Sequence, residues 1–183
     1  MKQRNLFVWM GCLCVGVAVF AAWSVQPSAT AQDPKPKSKE ETSASFEARF
    51  WGFLQSVQYH NWAPGPKQGL EPFRGTSPHG TYLKMYVNRA AAADPKSPPH
   101  GSIVVLENYG KDKARLLFIT AMYRVKGYDP EHNDWYWVKY NPDGTVARTT
   151  PGTGSKPIAG KFKACIDCHA RAKGGDFFYS NDK

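Results

Sequence analysis

The feature that most constrains this chain is a short pattern near its C-terminal end, Cys165-Ile166-Asp167-Cys168-His169. Two cysteines separated by two residues and followed at once by histidine form the attachment signature of a c-type haem. The thiols reach the two vinyl groups on one edge of the porphyrin, and the histidine then lies under the iron. The pattern therefore predicts one covalent haem c, held by Cys165 and Cys168, with His169 as the axial iron ligand.

Other uses of this cysteine pair fit less well. A zinc site needs four ligands, and the sequence has no second Cys/His pair at a suitable spacing. A thioredoxin-like redox pair belongs to a strand–helix–strand unit, which this late position lacks. A disulfide between the two cysteines would close a loop too short to stabilise the fold much. Haem attachment is therefore the favoured interpretation.

The N-terminal segment has the features of an export signal. Lys2 and Arg4 precede a nearly unbroken apolar run over residues 6–23, and Ala29-Thr30-Ala31 forms a small-residue cleavage site. An uncleaved membrane anchor is the alternative, because the run approaches the roughly 18 residues that span a bilayer. We expect cleavage before Gln32, which makes the mature protein periplasmic or otherwise exported and leaves it without a membrane segment.

Composition indicates one domain behind a spacer. Loss of the signal peptide, residues 1–31, removes two basic residues and no acidic one, so the formal net charge falls from +9 to +7. Residues 32–44 have the composition of a flexible linker, and residues 45–183 suffice for one domain with one core. The lysines are scattered, which argues against nucleic acid. A solvated basic surface that meets an acidic redox partner is the favoured interpretation.

A first helix is predicted to begin at Ser45, a suitable N-cap residue. Apolar side chains then recur at helical spacing along one predicted face, at Phe46, Phe50, Phe53, Leu54 and Val57. Pro64-Gly65-Pro66 is predicted to end this element.

The middle of the chain is predicted to form strands. They cover residues 81–88, 102–107, 116–125 and 135–140, and the last is followed by the turn sequence Asn141-Pro142-Asp143-Gly144. In the first strand, Leu83, Met85 and Val87 alternate onto one face. Successive strands with short polar connections predict an α+β fold, mainly an antiparallel β-sheet with peripheral helices.

The ligand on the other side of the iron decides the function. An electron carrier fills that position with methionine or histidine. The mature chain offers six such residues besides His169, namely Met85, Met122, His60, His79, His100 and His132. Each of them has a structural explanation, since the methionines occupy apolar strand positions and the histidines lie at the ends of elements or in a polar loop. We therefore expect no strong sixth ligand from the protein.

Several stretches taken together resemble the cytochrome P-460 family, which includes the non-crosslinked cytochromes c′-beta. The resemblance spans about residues 45–180. It rests on Tyr59-His60-Asn61-Trp62, His79-Gly80, Tyr86-Val87-Asn88, Pro99-His100-Gly101-Ser102-Ile103-Val104-Val105, Tyr123-Arg124-Val125-Lys126-Gly127-Tyr128-Asp129-Pro130, Asn133-Asp134-Trp135, and the late C-x-x-C-H followed by Asp176-Phe177. The resemblance implies the cytochrome P-460 or c′-beta fold, a homodimer, and a five-coordinate haem with His169 proximal and an open distal pocket.

Members of that family with the P-460 chromophore have a lysine joined covalently to the porphyrin, and they oxidise hydroxylamine. An ungapped comparison by eye puts that lysine's position at Leu106 and an acidic proton-handling position near Met122. Both positions are apolar here. Lys84 and Lys139 lie on other predicted strands, away from the position that the comparison indicates. The resemblance therefore favours the non-crosslinked, non-enzymatic type.

An apolar distal wall has a chemical consequence. We expect Leu106, Met122 and Leu83 to form it. Arg124 is expected either at the pocket rim or beside the haem propionates, or else as an exposed strand residue. Such a wall disfavours anions and gives bound water few partners, whereas neutral diatomic gases meet no such penalty. The sequence thus predicts a protein that binds nitric oxide or carbon monoxide. A hydroxylamine or nitric oxide oxidoreductase and a simple electron-transfer cytochrome are the alternatives.

Overall fold

The computed structural model describes residues 44–150, 152 and 154–182. This part of the chain is an α+β fold, a seven-stranded antiparallel sheet with three α-helices, as the sequence predicted. The predicted signal peptide and nearly all of the predicted linker lie outside the described residues. Within the described ranges, no helix is long and apolar enough to cross a bilayer.

Helix α1 covers Phe46–Ser56 and begins where the sequence predicted. The Ser45 hydroxyl accepts a hydrogen bond from the Ala48 amide at 3.2 Å, which satisfies one of the free donors of the first turn. Leu54 is fully buried and Phe50 nearly so. Burial of two such side chains contributes roughly 3–6 kcal/mol. The helix therefore docks through a narrow stripe.

The predicted apolar face of α1 was too wide. The side chains of Phe53 and Val57 are 46% and 37% exposed, and Phe46 is 39% exposed. The helix also ends at Ser56, earlier than the predicted stop at Pro64-Gly65-Pro66. A 3₁₀ turn over Tyr59–Asn61 follows it. Proline and glycine mark a non-helical segment, but the chain has already left the helix at that point.

Four long strands form the centre of the sheet and match the predicted ones within a few residues at each end. They are β3 (Tyr82–Val87), β4 (Ile103–Tyr109), β5 (Leu116–Arg124) and β6 (Trp135–Tyr140). Three two-residue strands complete it: β1 (Ala63–Pro64), β2 (Phe73–Arg74) and β7 (Ala159–Gly160). The order is β1-β3-β4-β5-β6-β7, and β2 also pairs with β3. All pairings are antiparallel.

The two faces of the sheet carry separate apolar clusters. Alternation along β4 sends Val105 to the face that α1 covers, while Val104 points to the opposite face. On that second face, Ile166 of helix α3 (Lys163–His169) and Phe178 pack against Trp135. The sheet therefore lies between α1 and the C-terminal segment, and the C-x-x-C-H motif belongs to the second face.

Short elements complete the described part. Helix α2 covers Arg89–Ala93 behind an Asn88 cap, whose side chain accepts from the Ala91 amide. The predicted turn after β6 is present, with Gly144 at φ +85°, a backbone conformation that suits glycine. Further 3₁₀ turns cover Pro130–His132 and Tyr179–Asn181.

Candidate functional site

Helix α3 presents the predicted haem ligands to one cavity. Cys165, Cys168 and His169 are three and four positions apart, so a single helical turn carries all three on one side. All three line the same cavity of about 660 Å³. Both cysteines are free thiols. Two thiols and an imidazole on one wall of a cofactor-sized cavity are the donor set that thioether attachment and axial ligation require.

The proximal imidazole is held in one tautomer. His169 Nδ1 lies 2.7 Å from the backbone oxygen of Phe177. A carbonyl oxygen only accepts, so Nδ1 carries the proton and Nε2 keeps its lone pair. Burial lowers the pKa of His169, although its bond to Phe177 works in the opposite direction. A neutral imidazole with a free Nε2 is the form that binds a metal.

The residues expected to form the apolar wall line this same cavity. Leu83, Leu106 and Met122 lie on three adjacent strands, and all three line the cavity. Val104 pairs with Met122 across β4 and β5 and extends the wall. Each of these side chains alternates away from α1. The wall is thus a property of the sheet's second face.

Arg124 lies elsewhere. Among the residues that line the cavity in the described ranges, Arg124 does not occur. Its Nη1 lies 3.2 Å from an Asp176 carboxylate oxygen and also donates to the Pro98 carbonyl, while its guanidinium stacks over Trp135. The predicted place at the rim or beside the propionates gives way to a buried ion pair.

The structure brings His79 to the cavity, although the sequence had suggested a purely structural place for it. Its Nδ1 lies 3.1 Å from Asn108 Oδ1, which also accepts from the Gly80 amide. Since that oxygen is an acceptor, His79 Nδ1 carries the proton and Nε2 keeps its lone pair. Burial lowers the pKa of His79. Its ring centroid lies 6.2 Å from that of His169.

Lys139 is a second unexpected residue of the cavity wall. Leu106, Thr120 and Lys139 are direct neighbours in a row across β4, β5 and β6, so all three point to the same face. The ammonium lies 3.7 Å from the centroid of the Phe118 ring. Desolvation lowers the pKa of Lys139. Lys84, in contrast, alternates to the other side of β3, as its position between Leu83 and Met85 requires.

The remaining candidate ligands divide between the cavity and the surface. Met85 and Met122 line the cavity. His60, His100 and His132 instead contact carboxylates away from it, at 2.8 to 2.9 Å from Glu107, Asp134 and Asp129 respectively. Three of the four histidines besides His169 thus have structural partners, as predicted. His79 is the exception.

The cavity lining is compatible with the predicted haem. The described residues contain no group of three or more His, Cys, Asp or Glu side chains that could hold a metal ion. Trp137 lines the cavity with its ring centroid 4.6 Å from that of His169, and its buried Nε1 has no hydrogen-bond partner in the described part of the chain. Burial raises the pKa of the Cys165 thiol to about 11, so this thiol is neutral near pH 7.

Comparison with known proteins gives no assignment. No family model matches the chain, and no curated protein shows significant similarity to it.

Proposed function

We propose that this protein is an exported c-type cytochrome whose single haem binds small neutral gases, with nitric oxide and carbon monoxide as the chemical class. Cys165 and Cys168 would hold the haem and His169 would ligate the iron, which stays five-coordinate before the gas binds. The observation that supports this proposal is that these residues share one cavity with the apolar wall of Leu83, Leu106 and Met122. The resemblance adds a cytochrome c′-beta fold and a homodimer to this proposal.

The residues of the chain divide the work between two sides. The haem, when bound, supplies the iron that takes the gas. The His169 imidazole, held by the Phe177 carbonyl, would ligate the iron through its Nε2 lone pair. The apolar wall would exclude anions, which lose hydration there without gaining a partner. A neutral diatomic loses little on entry, and this difference in desolvation selects the gas.

A hydroxylamine or nitric oxide oxidoreductase is the first alternative, and Lys139 is the observation that favours it. A lysine amine with a lowered pKa in the cavity is a stronger nucleophile than a solvated one. Lys139 lies two strands from Leu106, about 10 Å along the sheet. Peptide mass mapping of the holoprotein distinguishes this oxidoreductase from the gas-binding protein. A haem-bearing peptide joined to the Lys139 peptide would favour the enzyme.

A simple electron carrier is the second alternative, and His79 favours it. The imidazole has a free Nε2 in the same cavity as His169. Two histidines on opposite sides of one iron would give a six-coordinate, low-spin cytochrome. Against this stands the apolar wall of Leu83, Leu106 and Met122 in the same cavity, on which the gas-binding proposal rests.

The absorption spectrum of the purified, reduced holoprotein tests the proposal, with and without nitric oxide. We expect a high-spin spectrum with an ordinary c-type Soret band that changes when the gas is added. A band near 460 nm would point to a lysine crosslink and to the oxidoreductase. A low-spin spectrum that ignores the gas would point to the electron carrier. His79→Ala identifies the ligand in that case, and His60→Ala is its control, because His60 contacts Glu107 and does not line this cavity.

A further inference from the structure

A buried ion pair ties the C-terminal segment to the sheet. The Asp176 carboxylate is 8% exposed and lies 3.2 Å from Arg124 Nη1, at the end of β5. Asn133 Nδ2 donates to the same carboxylate at 3.1 Å. The backbone oxygen of Asp176 accepts from the indole of Trp135, the first residue of β6, at 3.0 Å. Side chain and backbone of one residue are therefore fixed to two strands.

The next residue has an unusual backbone. Phe177 has φ +58°, the left-handed region that bulky side chains rarely adopt. Such a strained residue persists only where its surroundings hold it. Asp176 on one side and the buried Phe178 on the other provide that hold. In this conformation the Phe177 carbonyl accepts the Nδ1 proton of His169 at 2.7 Å.

We infer that the ion pair between Arg124 and Asp176 is a positioning device for the iron ligand. It fixes the Phe177 carbonyl against His169 Nδ1 and so controls how strongly Nε2 donates to the iron. This inference rests on the proposed function. A second hydrogen bond of this kind orients a metal-bound imidazole and raises its basicity. Arg124 and Asp176 are then positioning residues, because they act on His169 only through the Phe177 carbonyl.

The cost of burying a charge explains why Asp176 has a cationic partner. Asp176 is buried, and an unpaired carboxylate there would be costly, so Arg124 and Asn133 keep it in place. Arg124 is itself anchored, by the Pro98 carbonyl and by the face of Trp135. A flexible partner would let the 175–178 segment move. An arginine with three contacts holds it rigidly.

Asp176→Asn in the holoprotein tests the inference through two signatures, the reduction potential and the iron–histidine stretching frequency in the ferrous state. We expect the potential to rise and the frequency to fall, because a looser carbonyl makes the imidazole a weaker donor. Arg124→Lys keeps the charge but loses the planar fork, and we expect smaller shifts in the same direction. If Asp176→Asn folds poorly, Arg124→Lys alone tests the inference.

Glu107→Gln is the matched control. It also neutralises a buried carboxylate, but one on the α1 side of the sheet, where it contacts Tyr59 and His60. It should lower stability and leave both signatures unchanged. If the wild-type chain carries haem and binds gas while Asp176→Asn and Arg124→Lys keep the wild-type potential and frequency, the inference is wrong and the proposed function stands. A wild-type chain that attaches no haem overturns both.

Discussion

At the scale of single residues, one carboxylate organises the side of the sheet that faces α1. Glu107 is 2% exposed, and Tyr59, Tyr86 and Tyr109 donate to it at 2.9, 3.3 and 2.7 Å. His60 approaches the same group at 2.8 Å. Burial, followed by the charge and hydrogen bond of Glu107, raises the pKa of Tyr86 to about 12. The tyrosines therefore remain donors throughout the working pH range.

Tyr59→Phe should lower the free energy of unfolding by about 2 kcal/mol, the contribution of a buried hydrogen bond to a charged group. The ring stays and the hydroxyl goes, so packing changes little. Glu107 keeps its other partners, which limits the loss. Urea unfolding of the variant measures it. Tyr82→Phe is the control, because Tyr82 is half-buried and makes no bond to Glu107. Equal unfolding free energies for both variants would contradict the expectation.

The sequence predicted part of the candidate site. The C-x-x-C-H motif is local, so spacing alone brings Cys165, Cys168 and His169 to one side of a helix. His79 and Lys139 were missed for a different reason. Which face a strand residue takes follows from alternation, but which cavity that face lines depends on the segment packed against it. Alternation along β6 gives the face of Lys139 from the sequence. The sequence does not give the position of α3 against that face.

At the scale of elements, the loop between β5 and β6 depends on one carboxylate. Asp134 accepts from the amides of Gly127 and Asp129 at 3.0 Å each and contacts His100 at 2.8 Å. These hydrogen bonds, that from Gly127 first, lower the pKa of Asp134 although burial opposes them. The backbone of Asp134 has φ +63°, a conformation that asparagine also tolerates. Asparagine can therefore replace it without added backbone strain.

Asp134→Asn should lower the melting temperature at pH 7, and the deficit should shrink in acid. A carboxylate whose folded-state pKa is depressed stabilises the fold above its unfolded pKa, about 3.9, and that contribution is lost as pH falls through the folded pKa. Thermal unfolding of wild type and variant from pH 7 to pH 3 shows the convergence. Glu131→Gln, an exposed acid of the same loop, should track the wild type. A constant deficit at every pH would argue against the charge.

Long elements were predictable and short ones were not. Strand β3 alternates, as Leu83, Met85 and Val87 show, whereas β4 and β6 are buried on both faces. The bounds of the four central strands were predicted within a few residues. Strands β1, β2 and β7 have two residues each, so no period can show in the sequence. Helix α1 was predicted with too broad a face, because Phe53 and Val57 fit the helical spacing and yet point to solvent. Aromatic character alone does not decide burial.

At the scale of the whole molecule, the proposal makes a prediction about mass. If the proposed export removes the leader and the proposed haem is attached covalently, the purified protein should weigh as much as residues 32–183 with one haem. Intact mass measured after denaturation checks both statements at once. A mass that includes residues 1–31 would mean a retained anchor. A mass without haem would contradict attachment at Cys165 and Cys168, and the Cys165→Ser/Cys168→Ser variant provides that reference.

The position of α3 after every long strand sets an order of events during synthesis. The chain emerges from its N-terminal end, so β3 to β6 are complete before Cys165 appears. Until then, the wall formed by Val104, Leu106 and Met122 has no cover. The segment that closes this surface, with Ile166 and Phe178, is made after all four long strands. In the complete fold Val104 and Met122 are buried, so only an unfinished chain exposes this apolar surface, and aggregation is the hazard during that interval.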